Sequence, residues 1–510
     1  MAGSDSTRTP QVPDTGAGSL SWPALRRRLE EAGLLEEIHC GPDVSDPDTL
    51  TLDTLTDDSR AVDLGGAFVA IRGVNADGHS FIDMAVENGA RLVVCEAAPE
   101  RERFPGTVFA RVTDTRTALA EAAAALYGDP ADELRLVGVT GTNGKTTVAY
   151  LVHHLMEGLG VSTGLLSTIE VRTGAVTTAM DLTTPGPLAL HRTLRQMVEA
   201  GCRACAMEVS SHALDQKRVH GLDYEAAIFT NLSVDHLSYH GTPDAYRAAK
   251  KILFDGLDPD ATALYNADDE AGSKMVADTA ADVVSFALDE PADIEVAVLE
   301  SRIDGLQLRV DGRERPFRLA GRFNAYNLAA AYGAGTALGV APEAVLDVLT
   351  DAPPVPGRFE PLRFADGTTV IVDYAHTPDA LKNILQAVRA TMPEGATLWC
   401  VFGCGGDRDP SKRATMGRIA ERLADRAIVT SDNPRTEAPV AILNDIRDGV
   451  QRPDAMRWIV DREEAIQAAA DEVAPGDVVV IAGKGHETTQ TIGTDTRPFD
   501  DREMARRYFG

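Results

Sequence analysis

A strand that runs into a glycine-rich loop and on into a helix constrains this chain more than any other feature. Leu136, Val137, Gly138 and Val139 lead into Gly141-Thr142-Asn143-Gly144-Lys145-Thr146-Thr147, and Val148, Leu151, Val152 and Leu155 follow at i, i+3, i+4, i+7 spacing. That spacing predicts a buried helix whose positive N-terminal end points back at the loop. Glycines let backbone N–H groups approach phosphate, Lys145 offers a cation to the β- and γ-phosphates of a nucleotide, and Thr146 offers a hydroxyl to Mg²⁺. The loop departs from the strict G-x-x-x-x-G-K-[ST] spacing, because Val139 stands where that pattern has glycine. An ordinary glycine-rich turn would explain the glycines but not Gly-Lys-Thr-Thr between a strand and a helix.

From about Leu134 onward, short β-rich runs alternate with helical stretches, which is the pattern of parallel βαβ units and fixes the class as α/β. Ligands in such sheets gather at the carboxyl ends of the strands. Ala204 to Met207 runs into Glu208-Val209-Ser210-Ser211-His212, and Ala226 to Phe229 into Thr230-Asn231 and then Asp235-His236. Glu208 and His236, a carboxylate and an imidazole past neighbouring strands, suit a divalent cation beside a transferred phosphate. A single histidine after a strand serves equally as a hydrogen-bonded structural residue.

The 510 residues exceed the roughly 250–300 that one core serves. Three domains are expected: a small N-terminal α/β domain over 1–112, a central phosphate-loop ATPase-like parallel sheet over 113–353, and a C-terminal Rossmann-like α/β domain over 354–510. The Ser/Thr/Pro/Gly-rich residues 1–20 are expected to form a floppy tail, and Pro353-Pro354-Val355-Pro356-Gly357 reads as a linker. In the first domain, strands at Ala67 to Ile71 and Arg91 to Val94 flank a helix from Phe81 to Asn88. In the third, the strand-like runs Val370–Val372, Leu398–Phe402, Ala427–Val429 and Val478–Ile481 each end in a polar or glycine-rich motif.

A formal charge of −29 argues against a nucleic-acid partner, since phosphate backbones are bound by clustered Lys and Arg. Any anionic ligand must be held by local cations and backbone N–H groups. The N-terminus lacks a basic n-region and an apolar h-region, and no apolar run approaches the roughly 20 residues of a membrane span. The six cysteines are scattered, which fits a reducing cytoplasm, and Cys202-x-x-Cys205 without a second ligand pair reads as packing. Nothing signals a partner protein, and a monomer is expected.

Gly141 to Thr147, Glu208 to His212, Gly357-Arg358-Phe359-Glu360, Asp373-Tyr374-Ala375-His376 and Asp432-Asn433-Pro434-Arg435 together resemble the Mur ligase family, in its diaminopimelate-adding branch, over nearly the whole chain. The resemblance implies ATP-dependent, Mg²⁺-assisted ligation in peptidoglycan precursor synthesis, through phosphorylation of a substrate carboxylate and attack by an incoming amine. It implies nucleotide contacts from Gly141 to Thr147, Asn324, Asn327, Arg358 and Asp373. Lys145, Glu208, His236 and Lys250 are implied as catalytic, with Lys250 carbamylated into a carboxylate-like metal ligand beside Thr146, Glu208 and His236. By pattern alone, Lys250 and Lys251 read as a solvated pair on an amphipathic helix, and Asn324 and Asn327 as helix-start capping residues.

For a UDP-N-acetylmuramoyl-L-alanyl-D-glutamate substrate, the resemblance implies Ser59, with Asp58, Arg60 and the Asn75 to His79 stretch, at the uridine end. Thr183, Thr184, Ser210, Gln216 and Arg218 fall at the muramoyl-peptide end. For meso-diaminopimelate it implies Arg408, Asp432, Asn433, Pro434, Arg435, Gly483 and Glu487. A guanidinium at Arg435 can grip the distal carboxylate that lysine lacks. Without the family, Asp432 to Arg435 is also a competent turn and Glu487 a helix cap. A lysine-adding or folylpolyglutamate-like ligase, a nucleotide-dependent switch and a non-catalytic relative are the competing readings.

Overall fold

The computed structural model describes residues 18–73, 76–179 and 182–510. Three sheets organise the chain. The first has the strand order Leu35–Cys40, Val108–Val112, Leu92–Cys95, Ala67–Val69, Leu55–Thr56, parallel except at Leu35–Cys40. Gly78–Phe81 is a 3₁₀ turn and the helix proper is Ile82–Glu87, within the expected stretch. Trp22, Leu25 and Leu29 from the helix Trp22–Glu31 pack with Val69, Leu92 and Val94 of the sheet. Leu119, Ala122 and Leu126 of the helix Thr115–Leu126 complete that same core. The expected boundary at 112 therefore falls before a helix that the first core incorporates.

The tail expectation requires a second correction. Leu20 is buried and pairs with Leu52 in a short antiparallel ladder, so the ordered chain begins before residue 21. Burial of Leu20 and Trp22 overrides the flexible composition around them. Residues 1–17 lie outside the described residues.

In the central sheet, the strands Thr163–Leu166, Ala204–Glu208, Arg135–Thr140, Tyr224–Phe229, Thr262–Asn266, Asp282–Ala287 and Ile294–Arg302 run parallel in that order. Antiparallel strands extend both flanks, at Val171–Thr173 and Val176–Thr178 and at Gly305–Val310 and Arg313–Phe317. The expectation of a parallel sheet thus holds for its middle only. Asp311 and Gly312, at φ 46° and 77°, close the last hairpin, because two left-handed residues match the twist of its strands. The phosphate-loop helix is Lys145–Gly158, buried on nearly every side because sheet and helix Arg322–Ala337 enclose it.

The third sheet has the order Glu360–Arg363, Thr369–Asp373, Val478–Ala482, Leu398–Phe402, Arg426–Val429, Arg457–Trp458, with only Glu360–Arg363 antiparallel. The four strands expected from sequence are thus neighbours, and their loops share one edge. Arg462 anchors that edge. Fully buried, it pairs with Asp501 through Nε–Oδ1 at 2.7 Å and Nη2–Oδ2 at 2.8 Å. It also donates to the carbonyls of Ala482, the last residue of one strand, and of Ser431, just past the end of another. Removing one partner leaves an uncompensated buried charge, so Asp501→Ala is expected to cost about 3–5 kcal/mol. Chemical denaturation followed through the third sheet checks this, and a loss below about 1 kcal/mol would contradict it.

Candidate active site

The strand Arg135–Thr140 lies between Ala204–Glu208 and Tyr224–Phe229, which brings three carboxyl ends together. The loop after Thr140 is held from the neighbouring strand end: Thr142 N donates to Asn231 O and Asn143 N to Asn231 Oδ1, each at 2.9 Å, while Thr230 Oγ1 donates to Asn143 O at 2.6 Å. Gly144 sits at φ 88°, and a Cβ there would meet Asn327 Oδ1 at 2.6 Å, so the backbone passes where a side chain could not. Lys145 folds back over the loop and donates to the carbonyls of Gly141 and Thr142, both at 2.9 Å. Burial lowers its pKa, while Glu208 and Asp235 oppose that shift. Thr146 and Thr147 are buried on the first helical turn.

Glu208 is 1% exposed, and its carboxylate accepts from Thr168 N at 2.7 Å and Thr168 Oγ1 at 3.2 Å. His236 occupies a left-handed position at φ 54°, with its ring 3.5 Å from Asp235. Burial pushes its pKa down to about 4 against the opposing charge of Asp235, with Lys145 adding to the shift, so the imidazole is neutral with a lone pair available. Lys250 is 1% exposed on the helix Pro243–Asp255. Its Nζ donates to Gly141 O at 2.8 Å and lies 4.5 Å from the centre of the Tyr246 ring. Burial and then Lys145 hold its pKa well below the ordinary lysine value. Lys251 turns away to Asp255 and Asp278. The helix thus sorts the two lysines, and Lys250 alone faces the phosphate loop.

Among the described residues no three His, Cys, Asp or Glu side chains converge to hold a metal ion. Glu208, His236 and Thr146 place a carboxylate, an imidazole and a hydroxyl at these strand and loop ends, and Lys250 adds a buried amine. A buried amine with a depressed pKa is chemically suited to carbamylation, because its free base is the nucleophile that takes up carbon dioxide.

Around Glu208, Thr184 Oγ1 donates to Glu208 O at 2.9 Å and accepts from Ser210 N at 3.0 Å. Thr183 Oγ1 lies 3.1 Å from Thr168 Oγ1. Arg218 donates to Thr184 O at 2.8 Å and to Gln216 Oε1 at 2.7 Å. Ser210 caps the helix Ser211–Asp215 as its spacing allows. These five residues form one polar wall. Ser59 is separate: it is buried in the first sheet's layer, beside Met84 and Asn88. Asp58 caps the turn Ser59–Ala61 and pairs with Arg60, while His79 pairs with Asp77. Asn75 lies outside the described residues.

Asn324 and Asn327 do not cap their helix. Asn324 donates to Ala320 O at 2.7 Å and Asn327 to Asn324 Oδ1 at 2.8 Å, which fixes Asn327 Oδ1 over Gly144. Arg358 reaches across from the third sheet. Its Nη2 donates to Thr146 Oγ1 at 3.2 Å, its guanidinium stacks 4.3 Å over Tyr374, and its buried Nη1 has no hydrogen-bond partner among the described residues. A buried, unsatisfied guanidinium nitrogen beside a phosphate loop fits a ligand phosphate. Asp373 accepts from Phe359 N at 2.7 Å and Ala375 N at 2.8 Å, holding Phe359 in a left-handed conformation at φ 46°. Asn143 Nδ2 adds a second bridge, to Asp379 Oδ2 at 3.2 Å.

On the third sheet's edge, Asp432 and Asn433 are buried, and a Cβ on Gly483 would come within 2.5 Å of Asp432 Oδ2. Glu487 caps no helix: its Oε2 accepts from Asn433 Nδ2 at 2.7 Å and from Lys484 Nζ at 2.9 Å. Pro434 leads into Arg435, held at φ 51° by backbone bonds to Thr491 and Gly493, with Nη1 donating to Gly406 O at 2.8 Å. Such a backbone costs on the order of 1–3 kcal/mol and persists only where its surroundings enforce it. Arg408 is exposed beside it. Sequence reasoning gave no role to Asn231, Tyr246, Arg462 or Lys484; only the strand-end position of Asn231 and the glycines around Lys484 gave a signal.

The Mur ligase middle domain pattern matches residues 139–335, the Mur ligase glutamate ligase domain 357–485, and the Mur ligase family catalytic domain 52–127. The chain belongs to the Mur ligase family and is an ATP-dependent ligase of that family. A curated relative from Parabacteroides distasonis, UDP-N-acetylmuramoyl-L-alanyl-D-glutamate–2,6-diaminopimelate ligase, is 45% identical over 91% of this chain and 95% of its own. The protein of that name from Cytophaga hutchinsonii is 46% identical over 87% of this chain and 92% of its own. A solved structure of an enzyme of the same name aligns at 32% identity and TM-score 0.67, covering 96% of this chain and 99% of that one. A MurF ligase from Thermotoga maritima, at 20% identity and TM-score 0.60 over 84% of this chain and 93% of that one, shares the fold.

Proposed function

We propose that this chain joins meso-diaminopimelate to UDP-N-acetylmuramoyl-L-alanyl-D-glutamate, with ATP converted to ADP and phosphate. The observation that carries the reading is the meeting of two strand-end edges: Arg358 and Asp379 of the third sheet bridge to Thr146 and Asn143 of the phosphate loop, on the same edge as Arg435 and Glu487. The glutamyl carboxylate attacks the γ-phosphorus and ADP leaves. The amine of diaminopimelate then adds to the acyl carbon, loses a proton, and the tetrahedral adduct expels phosphate, replacing a very poor leaving group with a good one.

Loop amides, Lys145 and Arg358 hold the charge that develops on the phosphoryl oxygens. Mg²⁺ held by Glu208, His236, Thr146 and carbamylated Lys250 would offset phosphate charge. Thr183, Thr184, Ser210, Gln216 and Arg218 orient the dipeptide and Ser59 the uridine end. Asn324, Asn327 and Asp373 shape the nucleotide site, and Arg408, Asp432, Asn433, Pro434, Arg435, Gly483 and Glu487 that of the amino acid. Six free cysteines fit action in the cytoplasm, and the chain is proposed to act as a monomer.

The test is phosphate release with Mg-ATP and the nucleotide dipeptide, comparing meso-diaminopimelate with L-lysine and weighing the product. Turnover with lysine alone, or release indifferent to any amino acid, would reject the reading. Arg358→Ala is expected to cut kcat/KM about 10²-fold or more, by leaving phosphoryl charge unmatched, with little change in melting temperature. Steady-state rates at varied ATP check it.

A further inference from the structure

We propose that Lys484 sets the charge preference of the distal amino-acid pocket, so that the site selects a far-end carboxylate over a bare far-end ammonium. The inference deepens the proposed reading and rests on it. Lys484 is fully buried, and its Nζ donates to Glu487 Oε2 at 2.9 Å, Thr489 O at 2.6 Å and Asn433 Oδ1 at 3.3 Å. Three acceptors require three N–H groups, so the side chain is an ammonium. It touches Glu487 and Asn433, two of the residues proposed to hold the amino acid.

The charges decide the consequence. Arg408 and Arg435 approach one another across Gly405, and Asp432 lies against Gly483. With Lys484 they make three cations beside the anions Asp432 and Glu487, and exposed Asp407 is a third anion next to the two arginines. Glu487 Oε2 is occupied by Lys484 and Asn433, and among the described residues Oε1 has no hydrogen-bond partner, which leaves it for a ligand ammonium. Lys484 offsets the charge of Glu487, so an ammonium alone gains little there, while Arg435 and Arg408, beside the exposed and solvent-screened Asp407, still gain from an arriving carboxylate. A zwitterionic far end satisfies both halves. Lysine brings only the cation.

A residue that merely braced the loop would affect every amino acid alike, whereas a charge-setting residue changes their ratio. The experiment compares kcat/KM for meso-diaminopimelate, L-lysine and 2-aminopimelate, the last keeping the distal carboxylate without the ammonium, in the wild-type protein and in Lys484→Gln, with thermal melts to verify folding. The wild type is expected to use 2-aminopimelate better than L-lysine. In Lys484→Gln the 2-aminopimelate-to-lysine ratio is expected to fall about tenfold or more. A folded variant whose ratio stays within about threefold of wild type would overturn the proposal. If the variant does not fold, the wild-type preference decides, and lysine preferred over 2-aminopimelate overturns it. A wild-type protein inert towards diaminopimelate would overturn the reading beneath it as well.

Discussion

Lys250→Ala is expected to reduce ligation by about three orders of magnitude or more while the protein remains folded. The lysine sits against Gly141 at the start of the phosphate loop, and among the described residues no carboxylate forms an ion pair with it, so its loss removes chemistry rather than an ion pair. Phosphate release and a thermal melt on one preparation measure both halves; near-normal turnover would show that another group does this work. A companion effect follows from burial. The folded-state pKa of Lys250 is depressed, so between that value and its ordinary 10.5 the unfolded chain holds a proton that the folded chain does not. Stability conferred on the wild type therefore rises with pH across that window, by up to about 1.4 kcal/mol per pH unit. In bicarbonate-free buffer, Lys250→Met is expected to gain stability relative to wild type as pH falls from 10 towards neutrality, and a gap constant with pH would contradict the burial argument.

Arg435→Ala or Arg435→Lys is expected to lower kcat/KM for meso-diaminopimelate by about 10²–10³-fold, because a distal carboxylate left without its guanidinium is desolvated and unpaired. The backbone of Arg435 is pinned in a left-handed conformation by Thr491 and Gly493, and Nη1 is tied to Gly406 O, so the side chain is presented before any ligand arrives. A lysine there lacks the planar fork that a carboxylate matches. Rates at varied diaminopimelate, with ATP affinity as the control, measure the effect. Unchanged apparent affinity would remove Arg435 from the pocket.

Much of this site is written locally. Gly141 to Thr147 declares itself because glycine, lysine and threonine each meet a separate requirement of phosphate, and the buried spacing of Val148, Leu151, Val152 and Leu155 announces the helix behind it. The motifs after strands of the third sheet are likewise visible, since a strand ends where polar and glycine residues begin. Boundaries were harder to read. Leu20 is apolar in a flexible-looking stretch and finds its partner at Leu52, and the helix Thr115–Leu126 is so alanine-rich that its pattern does not say which core receives it.

By itself the sequence determined the α/β class, the phosphate loop and the set of chemical groups, because strand and helix periods, glycines and charged residue types are local properties of the chain. Only the tertiary structure decided between Lys250 and Lys251, because one residue of rotation on a helix separates the phosphate loop from Asp255 and Asp278. It alone turned Asn324 and Asn327 from capping residues into a brace over Gly144, and Glu487 from a cap into the partner of Asn433 and Lys484. The contacts that decide these roles, Lys250 with Gly141, Asn327 with Gly144 and Glu487 with Asn433, join residues 109, 183 and 54 positions apart. Their energy lies in burial and hydrogen bonding between elements, which no spacing along one element encodes.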